Sequence, residues 1–227
     1  MRPQWVDIRF WVHKLGLSAA WLCAVGLSAV CMVACSAGED DGDEYIPPYI
    51  TDLLEVATDA DGMLSVVTLD NGATYDVTEQ QKVTNYPDTT FRCRAIYTLE
   101  KGKLKLSSVV TVFANKPVPA SAFSLVKNGV VYSGEEYIPR DPMKVISMWK
   151  SGGYINLHLG LMTTGRNVHQ YAFCEDAPGK YSLVHLRPWG DAESYTEQVY
   201  MSMPIPKGVE ELTFSVNTYD GVYTQTF

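Results

Sequence analysis

Residues 145–162 read VISMWKSGGYINLHLGLM, and this stretch carries the clearest structural signal in the chain. Two strand-forming runs, Val145–Lys150 and Tyr154–Met162, flank Ser151-Gly152-Gly153, a sequence typical of a hairpin turn. Alternate side chains of the second run are apolar, and a period of two with one apolar face predicts a strand packed against a core. The apolar face consists of Ile155, Leu157, Leu159 and Leu161.

The segments after this hairpin repeat the pattern down to the C-terminus. Turn residues such as Asp176-Ala177-Pro178-Gly179 separate them. About seven strands at a spacing of roughly ten residues predict a β-sandwich. An antibody-type sandwich is excluded because Cys174 has no partner cysteine at the required spacing. The further predicted strands are Val168–Glu175, Tyr181–Arg187, Gln198–Met203, Leu212–Thr218 and Val222–Phe227.

Another group of strand signals precedes the sandwich. The polar segment Thr78–Asn85 interrupts it with one predicted helical turn, and Asn115–Pro119, with two prolines, is interpreted as a linker. Five strands with one interruption predict an OB-type barrel of about 70 residues. The predicted domains are therefore an OB-type domain at 47–116 and a β-sandwich at 117–227, which makes the chain all-β. The five strands are Ile50–Thr58, Met63–Leu69, Ala73–Val77, Thr90–Leu99 and Leu104–Val112.

Residues 1–34 have the layout of a bacterial lipoprotein signal peptide. Basic residues precede the apolar run Leu15–Ala34, and Cys35 follows directly. Ala34-Cys35 resembles the end of a lipobox, with Met32 in place of the usual leucine. An ordinary signal-peptidase site is disfavoured because Met32 is too large for its −3 position. A retained transmembrane anchor stays open because the run reaches about 20 residues.

Residues 35–46 form an acidic tether. Such a segment cannot bury apolar area, and its charges repel one another, so we expect it to be extended. It resembles the acidic export signal of surface lipoproteins in Bacteroidota, and a solvated spacer is the alternative. The predicted location is the outer membrane, anchored by lipid at Cys35, on the cell surface or otherwise on the periplasmic face. The acidic residues are Glu39, Asp40, Asp41, Asp43 and Glu44.

The charge of the chain argues against nucleic-acid binding. The formal net charge is −8, and removing the leader, with three basic residues and one acidic residue, takes it to −10. Nucleic-acid binding needs a basic surface, which this composition does not supply. No nucleotide-binding or nucleophile motif occurs, so the sequence predicts no cofactor and no enzymatic activity.

The order of these features resembles the NigD-like lipoprotein family of Bacteroidota. The resemblance spans essentially the full mature chain and includes the residue pattern of Met63–Gly72 and of the last strand, Val222–Phe227. It implies an OB domain followed by an immunoglobulin-like sandwich, no established enzymatic activity, and association with bacteriocin immunity or export. No functional residue other than Cys35 is carried over. We therefore expect a non-catalytic binding or accessory protein of the envelope, whose partner is another envelope protein or a glycan.

Three histidines supply the alternative, a metal-dependent hydrolase. His158, His169 and His185 all fall in the predicted sandwich, and three histidines can hold zinc with one position open. Strand alternation turns His158 away from the apolar face, and no short ligand spacing supports a site. Ordinary structural or surface histidines are therefore favoured, and no metal site is predicted. Asp59–Gly62 is interpreted as a polar turn, because the remaining ligands of a calcium loop are missing.

A basic strip in the barrel is a weak candidate for binding an anionic glycan or a phosphate-bearing ligand, because OB barrels bind such polymers on one face. A solvated hairpin whose lysines discourage edge pairing is the favoured alternative. The strip consists of Arg92, Arg94, Lys101, Lys103 and Lys105.

Two smaller features complete the candidates. Asp88-Thr89-Thr90 resembles the O-glycosylation acceptor of Bacteroidota, with Thr89 as the acceptor. Cys93 and Cys174 could pair in an oxidising periplasm. Strand alternation instead places Cys93 on a core face, so we expect buried free thiols.

Overall fold

The computed structural model describes residues 48–78, 86–127 and 130–227. The predicted signal peptide, the lipidation site Cys35 and the acidic tether lie outside the described residues, as does nearly all of the predicted helical turn at 78–85. In the three described ranges, no helix has the length and apolar character needed to cross a membrane.

The N-terminal strands form one curled antiparallel sheet. Its order is β3-β2-β1-β4-β5. A parallel bridge between Val77 and Leu104 brings the end of β3 to β5, so the sheet curls toward closure as in an OB-type barrel. The strands are β1 Ile50–Thr58, β2 Leu64–Thr68, β3 Thr74–Asp76, β4 Thr90–Glu100 and β5 Lys103–Thr111.

Side-chain alternation along the strands builds the core of this sheet. On β4, Cys93, Ala95 and Tyr97 are buried on the concave side. Leu54 and Val56 of β1 pack against them. The predicted burial of Cys93 is therefore confirmed, and the residues between these positions point to the opposite face of β4.

The C-terminal strands form a sandwich with a hairpin on its outer side. One sheet has the order β13-β10-β9, the other β15-β14-β12-β11-β6, and β7 pairs with β8. The strands are β6 Val118–Pro119, β7 Ser124–Lys127, β8 Val130–Ser133, β9 Lys144–Ser151, β10 Tyr154–Thr163, β11 Gln170–Ala177, β12 Lys180–Leu186, β13 Tyr195–Pro204, β14 Thr213–Thr218 and β15 Gly221–Thr226; short 3-10 turns occur at Ala120–Ala122 and Glu135–Tyr137.

The predicted apolar face of β10 lies at the centre of the sandwich. All four of its apolar side chains are buried against those of the five-stranded sheet, which include Phe173, Tyr181 and Phe214. The all-β fold is thus confirmed. The domain boundaries at 116 and 117 stay a prediction.

Three strands differ from the expectation. Val118–Pro119 was predicted to belong to a linker, but it pairs in parallel with Cys174 and Glu175 at the edge of the sheet. An edge strand tolerates proline because one side needs no backbone donor. The hairpin of β7 and β8 was not predicted, although the sequence has Asn128-Gly129, a typical hairpin-turn dipeptide, between the two runs.

Candidate functional site

The side chain of Arg92 crosses from the barrel to the sandwich. It lies on the face of β4 opposite Cys93, yet only 1% of it is exposed. Its guanidinium donates two hydrogen bonds to the carboxylate of Asp70, with N–O distances of 2.5 Å and 2.8 Å. It also lies 4.3 Å from the ring centre of Tyr154. Arg92 therefore connects the turn after β2 to the three-stranded sheet.

The polar side chains around Arg92 form one closed network. Asn156 Oδ1 accepts from Arg92 Nη2 at 3.2 Å and from the hydroxyl of Ser202 at 2.7 Å. Ser202 in turn accepts from Arg92 Nε at 3.4 Å. Ser151 donates to Asp70 at 2.5 Å and accepts from Asn156 Nδ2 at 2.8 Å. Because each of these groups has a partner, the buried charge is compensated.

Gly152 marks the closest approach of backbone to this network. Its φ is +57°, and a Cβ added there would lie 2.2 Å from Oδ1 of Asp70. The next residue, Gly153, has a similar φ of +79° but no neighbouring atom within 4 Å of such a Cβ. Only glycine at 152 therefore allows the hairpin turn to touch the carboxylate.

Tyr154 forms a second link between barrel and sandwich. Its hydroxyl donates to Glu55 of β1 at 2.5 Å. Burial, the hydrogen bond to Glu55 and the charge of Glu55 raise the pKa of Tyr154 to about 12. The hydroxyl thus stays protonated and donates throughout the physiological pH range.

Beside the network lies a cleft of about 440 Å³. Strands β1 and β4 and the turn after β2 form one wall, and strands β9 and β13 form the other. The volume falls in the range of small-ligand sites. The lining includes Thr51, Asp52, Asn71, Arg94, Trp149 and Tyr200.

Arg94 is held in this cleft by an aromatic side chain. Its guanidinium carbon lies 4.7 Å from the ring centre of Tyr200. His158 also stacks on Tyr200, with ring centroids 4.2 Å apart and an angle of 10° between the planes. Among the described residues Arg94 forms no ion pair. Its N–H groups are thus positioned but not committed to a carboxylate.

Asp52 lines the cleft, but its carboxylate lies on the side of β1 that carries the core residues Leu54 and Val56. One of its oxygens accepts a hydrogen bond from Tyr97 at 2.9 Å. Burial, followed by this hydrogen bond, raises the pKa of Tyr97 to about 12. The hydroxyl therefore remains a donor that orients the carboxylate.

A separate buried cluster lies at the far end of β10. Nδ1 of His169 is 2.8 Å from Nε2 of His185, and Nε2 of His169 is 2.8 Å from the carboxylate of Asp191. Nδ1 of His185 is 3.0 Å from the carbonyl oxygen of Asp141. Asp191 also accepts hydrogen bonds from the backbone N–H and the hydroxyl of Thr164.

Two acceptors fix the outer hydrogen bonds of the cluster. The carbonyl of Asp141 can only accept, so His185 donates to it from Nδ1, and the carboxylate of Asp191 accepts from Nε2 of His169. Hydrogen bonds from Thr164 lower the pKa of Asp191, although burial opposes this shift. Burial lowers the pKa of His185.

This cluster is not arranged as a metal site. Both ring nitrogens of His169 and of His185 are used in hydrogen bonds. His158 belongs to the other sheet, where Nε2 lies 3.1 Å from the side-chain oxygen of Gln198. Within the described part of the chain, no group of three or more histidine, cysteine, aspartate or glutamate residues could hold a metal ion.

Comparisons with known proteins identify the architecture. No family profile and no curated protein sequence matches the chain. A solved structure of a NigD-like immunity protein from Bacteroides caccae does match, with a TM-score of 0.60 and 23% identity over 80% of this chain and 93% of that one. This chain has the fold of the NigD-like protein.

Two further solved structures share the NigD-like fold. A protein from Parabacteroides distasonis described as toxin-related has a TM-score of 0.60 and 16% identity, covering 79% of this chain and 92% of its own. A protein from Bacteroides fragilis described as a lipoprotein has a TM-score of 0.50 and 11% identity, covering 79% of this chain and 96% of its own. The predicted resemblance is therefore confirmed in the fold.

The basic strip is divided in the NigD-like fold. Arg92 is enclosed by its network and Arg94 lines the cleft, whereas Lys101 and Lys103 are exposed at the β4–β5 turn and Lys105 is exposed on β5. Ligand binding by the strip stays a prediction.

Two smaller predictions can be placed in the same fold. The hydroxyl of Thr89 donates to the carbonyl of Pro87 at 2.8 Å, and its glycosylation stays a prediction. Cys93 and Cys174 are free buried thiols in separate cores, as expected.

Sequence reasoning missed the contact between His169 and His185. The signal was present, because the predicted turn at 176–179 pairs Tyr171 with His185 and so places His169 one diagonal step away on the same face. It also missed the network around Arg92, for which no local pattern exists.

Proposed function

We propose that this chain is a non-catalytic binding protein of the bacterial envelope and that its ligand occupies the cleft beside Arg94. The observation that carries the proposal is Arg94 itself, a half-buried cation with no carboxylate partner among the described residues. It stacks on Tyr200 in a concave site whose walls are joined by the Arg92 network. Pre-positioned polar groups in a concave site are typical of ligand binding.

The hydrolase alternative receives little support from the histidines. His169 and His185 hydrogen-bond to each other and to Asp191 and Asp141, so they have no free nitrogen to bind a metal or activate water. Zinc analysis of the purified protein is the direct test. A stoichiometric content would favour the hydrolase over the binding protein.

Attachment to the outer membrane through lipid on Cys35 is part of the proposal. It is supported by Ala34-Cys35 after the apolar run and by the description of the Bacteroides fragilis protein of the same fold as a lipoprotein. Replacing Cys35 with alanine should abolish incorporation of a fatty-acid analogue. Label at the wild-type level would show that the lipobox is misassigned.

We further propose that the acidic tether directs the chain to the cell surface. Its carboxylates lie within residues 39–44, a stretch that has no apolar side chain to bury. Replacing them with serine, glycine or asparagine at constant length should protect the protein from protease added to intact cells. Equal digestion of the wild type and of this variant would mean that the segment is only a passive spacer.

The binding proposal is tested by filling the cleft. Thr51 is exposed on β1 at the cleft wall, and Thr224 is exposed on β15, so Thr51→Trp and Thr224→Trp are matched substitutions. The immunity role in the name of the Bacteroides caccae protein makes a bacteriocin one candidate ligand. Glycans and outer-membrane proteins of the same cells are the others.

Each candidate is applied to immobilised protein, and the bound fraction is measured. The Thr51→Trp variant should lose binding that the Thr224→Trp variant retains. Undiminished binding by Thr51→Trp, or no binding by the wild type to any of the three classes, would contradict the proposal.

A further inference from the structure

We infer that the cleft binds an acidic saccharide, with Arg94 pairing with its single carboxylate or sulfate group. This inference rests on the proposed function and names the ligand class of the same site. The argument depends on Arg94, on the aromatic side chain of Trp149 and on the polar groups between them.

Arg94 has the geometry of an anion receptor. Stacking on Tyr200 leaves the edge of a guanidinium available, and that edge donates two parallel hydrogen bonds to a carboxylate or sulfate. The contact with Tyr200, at 4.7 Å, restricts the guanidinium before a ligand arrives. This pre-organisation reduces the conformational entropy lost on binding.

Trp149 supplies a flat apolar surface on the wall of the cleft that also carries Tyr200. It lies opposite Asn156 on β10, while Tyr200 lies opposite His158 on the other side of β10. The two aromatic residues are thus on strands separated by one strand, about 10 Å apart by strand spacing. Indole and phenol rings combine a large apolar surface with a polar edge, which suits the mixed faces of a sugar ring.

The remaining lining groups suit hydroxyls. The side-chain oxygen of Asn71 accepts from the backbone N–H of Ala73 at 2.9 Å, which leaves its NH₂ group to donate. Thr51 is exposed at the wall, and its hydroxyl can both donate and accept a hydrogen bond. The site thus offers several neutral hydrogen bonds around one cation.

The same features argue against other ligand classes. A peptide usually binds to a sheet by adding a strand, and on the barrel wall of the cleft β1 and β4 are already paired on both edges. Arg94 is the one basic residue in the described lining of the cleft, so a ligand with closely spaced charges, such as a nucleic acid, would not be neutralised there. One negative charge on an otherwise neutral, hydroxyl-rich molecule fits best.

The test uses an oligosaccharide array that displays carboxylated chains, sulfated chains and the corresponding neutral chains. We expect the wild-type protein to bind acidic chains at least tenfold more tightly than their neutral counterparts. The carboxylated and sulfated arms identify which anion Arg94 receives. Preference for neutral chains, binding only to acidic peptides, or no binding to any saccharide would overturn the inference.

Variants connect the result to the site. Arg94→Gln should weaken binding of acidic chains by roughly 10- to 100-fold, the usual effect of losing hydrogen bonds to a charged group. Arg94→Lys should give an intermediate loss of affinity, because lysine keeps the positive charge but lacks the two parallel N–H donors of the guanidinium. Arg166→Gln, which removes an exposed arginine outside the cleft, is the control and should not change binding.

The two proposals can fail separately. If Thr51→Trp abolishes capture of a protein partner while saccharides do not bind, the cleft is a binding site and the saccharide inference is wrong. If Arg94→Gln binds acidic chains as tightly as the wild type, the anion does not pair with Arg94. Loss of binding by Arg94→Gln with an unchanged unfolding curve excludes misfolding as the cause.

Discussion

Removing Asp70 should destabilise the protein more than removing Arg92, although the two side chains form one ion pair. The reason is their unequal access to water, because 1% of the Arg92 side chain is exposed and 22% of the Asp70 side chain. In Asp70→Ala the guanidinium keeps only uncharged partners, the side chains of Asn156 and Ser202 and the ring of Tyr154. In Arg92→Met the carboxylate keeps Ser151 and part of its hydration.

The expected magnitudes follow from this asymmetry. Breaking a buried ion pair by removing one partner costs about 3–5 kcal/mol. Asp70→Ala should reach the upper end, about 4–5 kcal/mol, since it leaves a charge enclosed by protein. Arg92→Met should stay near the lower end, about 3 kcal/mol, because methionine retains part of the packing of the arginine stem.

Urea unfolding at pH 7 measures both losses, followed by tryptophan fluorescence and far-UV circular dichroism. Coincident transitions are needed, because the chain contains separate cores that can unfold independently. The control is Asp176→Ala, which breaks the pair of Arg140 with Asp176 at 2.7 Å and leaves the hydrogen bond of Arg140 to Ser182 in place. That pair is 41% and 34% exposed, so its loss should cost about 0–1 kcal/mol.

Two results would refute the reasoning. If all three variants lose less than about 1 kcal/mol, the Arg92 network behaves like a surface ion pair. If Arg92→Met costs more than Asp70→Ala, the exposed fractions of the two side chains do not govern the penalty. The first outcome would mean that the network does not hold the barrel to the sandwich.

Three further predictions follow from the same contacts and pKa shifts. Gly152→Ala and Gly153→Ala both place a side chain at positive φ, which costs about 1–2 kcal/mol. Only Gly152→Ala collides with Asp70, so its urea midpoint should fall further than that of Gly153→Ala. Equal midpoints of the two variants would contradict the contact. The pKa of His185 is lowered by burial, so the unfolded chain binds the extra proton, and stability should be full above about pH 6.5 and decline below it by at most about 1.4 kcal/mol per pH unit. His185→Gln should flatten this decline and His158→Gln should not, and identical slopes in both variants would rule out the assignment. Burial raises the pKa of Cys93 to about 12 and that of Cys174 to about 11. Neither thiol should therefore react with a thiol reagent at pH 8 until urea unfolds the protein. Fast reaction of either thiol in the native state would contradict its burial.

Local pattern was sufficient for most of the strands. Apolar alternation and turn residues predicted β1 with its observed bounds and β10 to within one residue at its end. These signals are local, because the period of two and the glycine turns depend only on neighbouring residues. The same alternation identified Cys93 as a core residue.

The short strands and the site residues could not be predicted in this way. β6 has two residues and forms only because Cys174 and Glu175 lie beside it. Arg92 and Arg94 point away from the barrel core. From strand alternation alone, both were therefore interpreted as part of an exposed basic strip. Their surroundings depend on the sheet of the sandwich, which lies more than fifty residues further along the chain.

The amino-acid sequence alone therefore determined the all-β class, the order of the strands along the chain and the face of each strand that meets a core. Only the tertiary structure decided what covers the opposite faces. It enclosed Arg92 with Asp70 and Asn156, left Arg94 in a cleft, and joined His169 to Asp191. The physical reason is that alternation specifies the direction of a side chain, whereas burial and charge pairing depend on which distant segment packs against it.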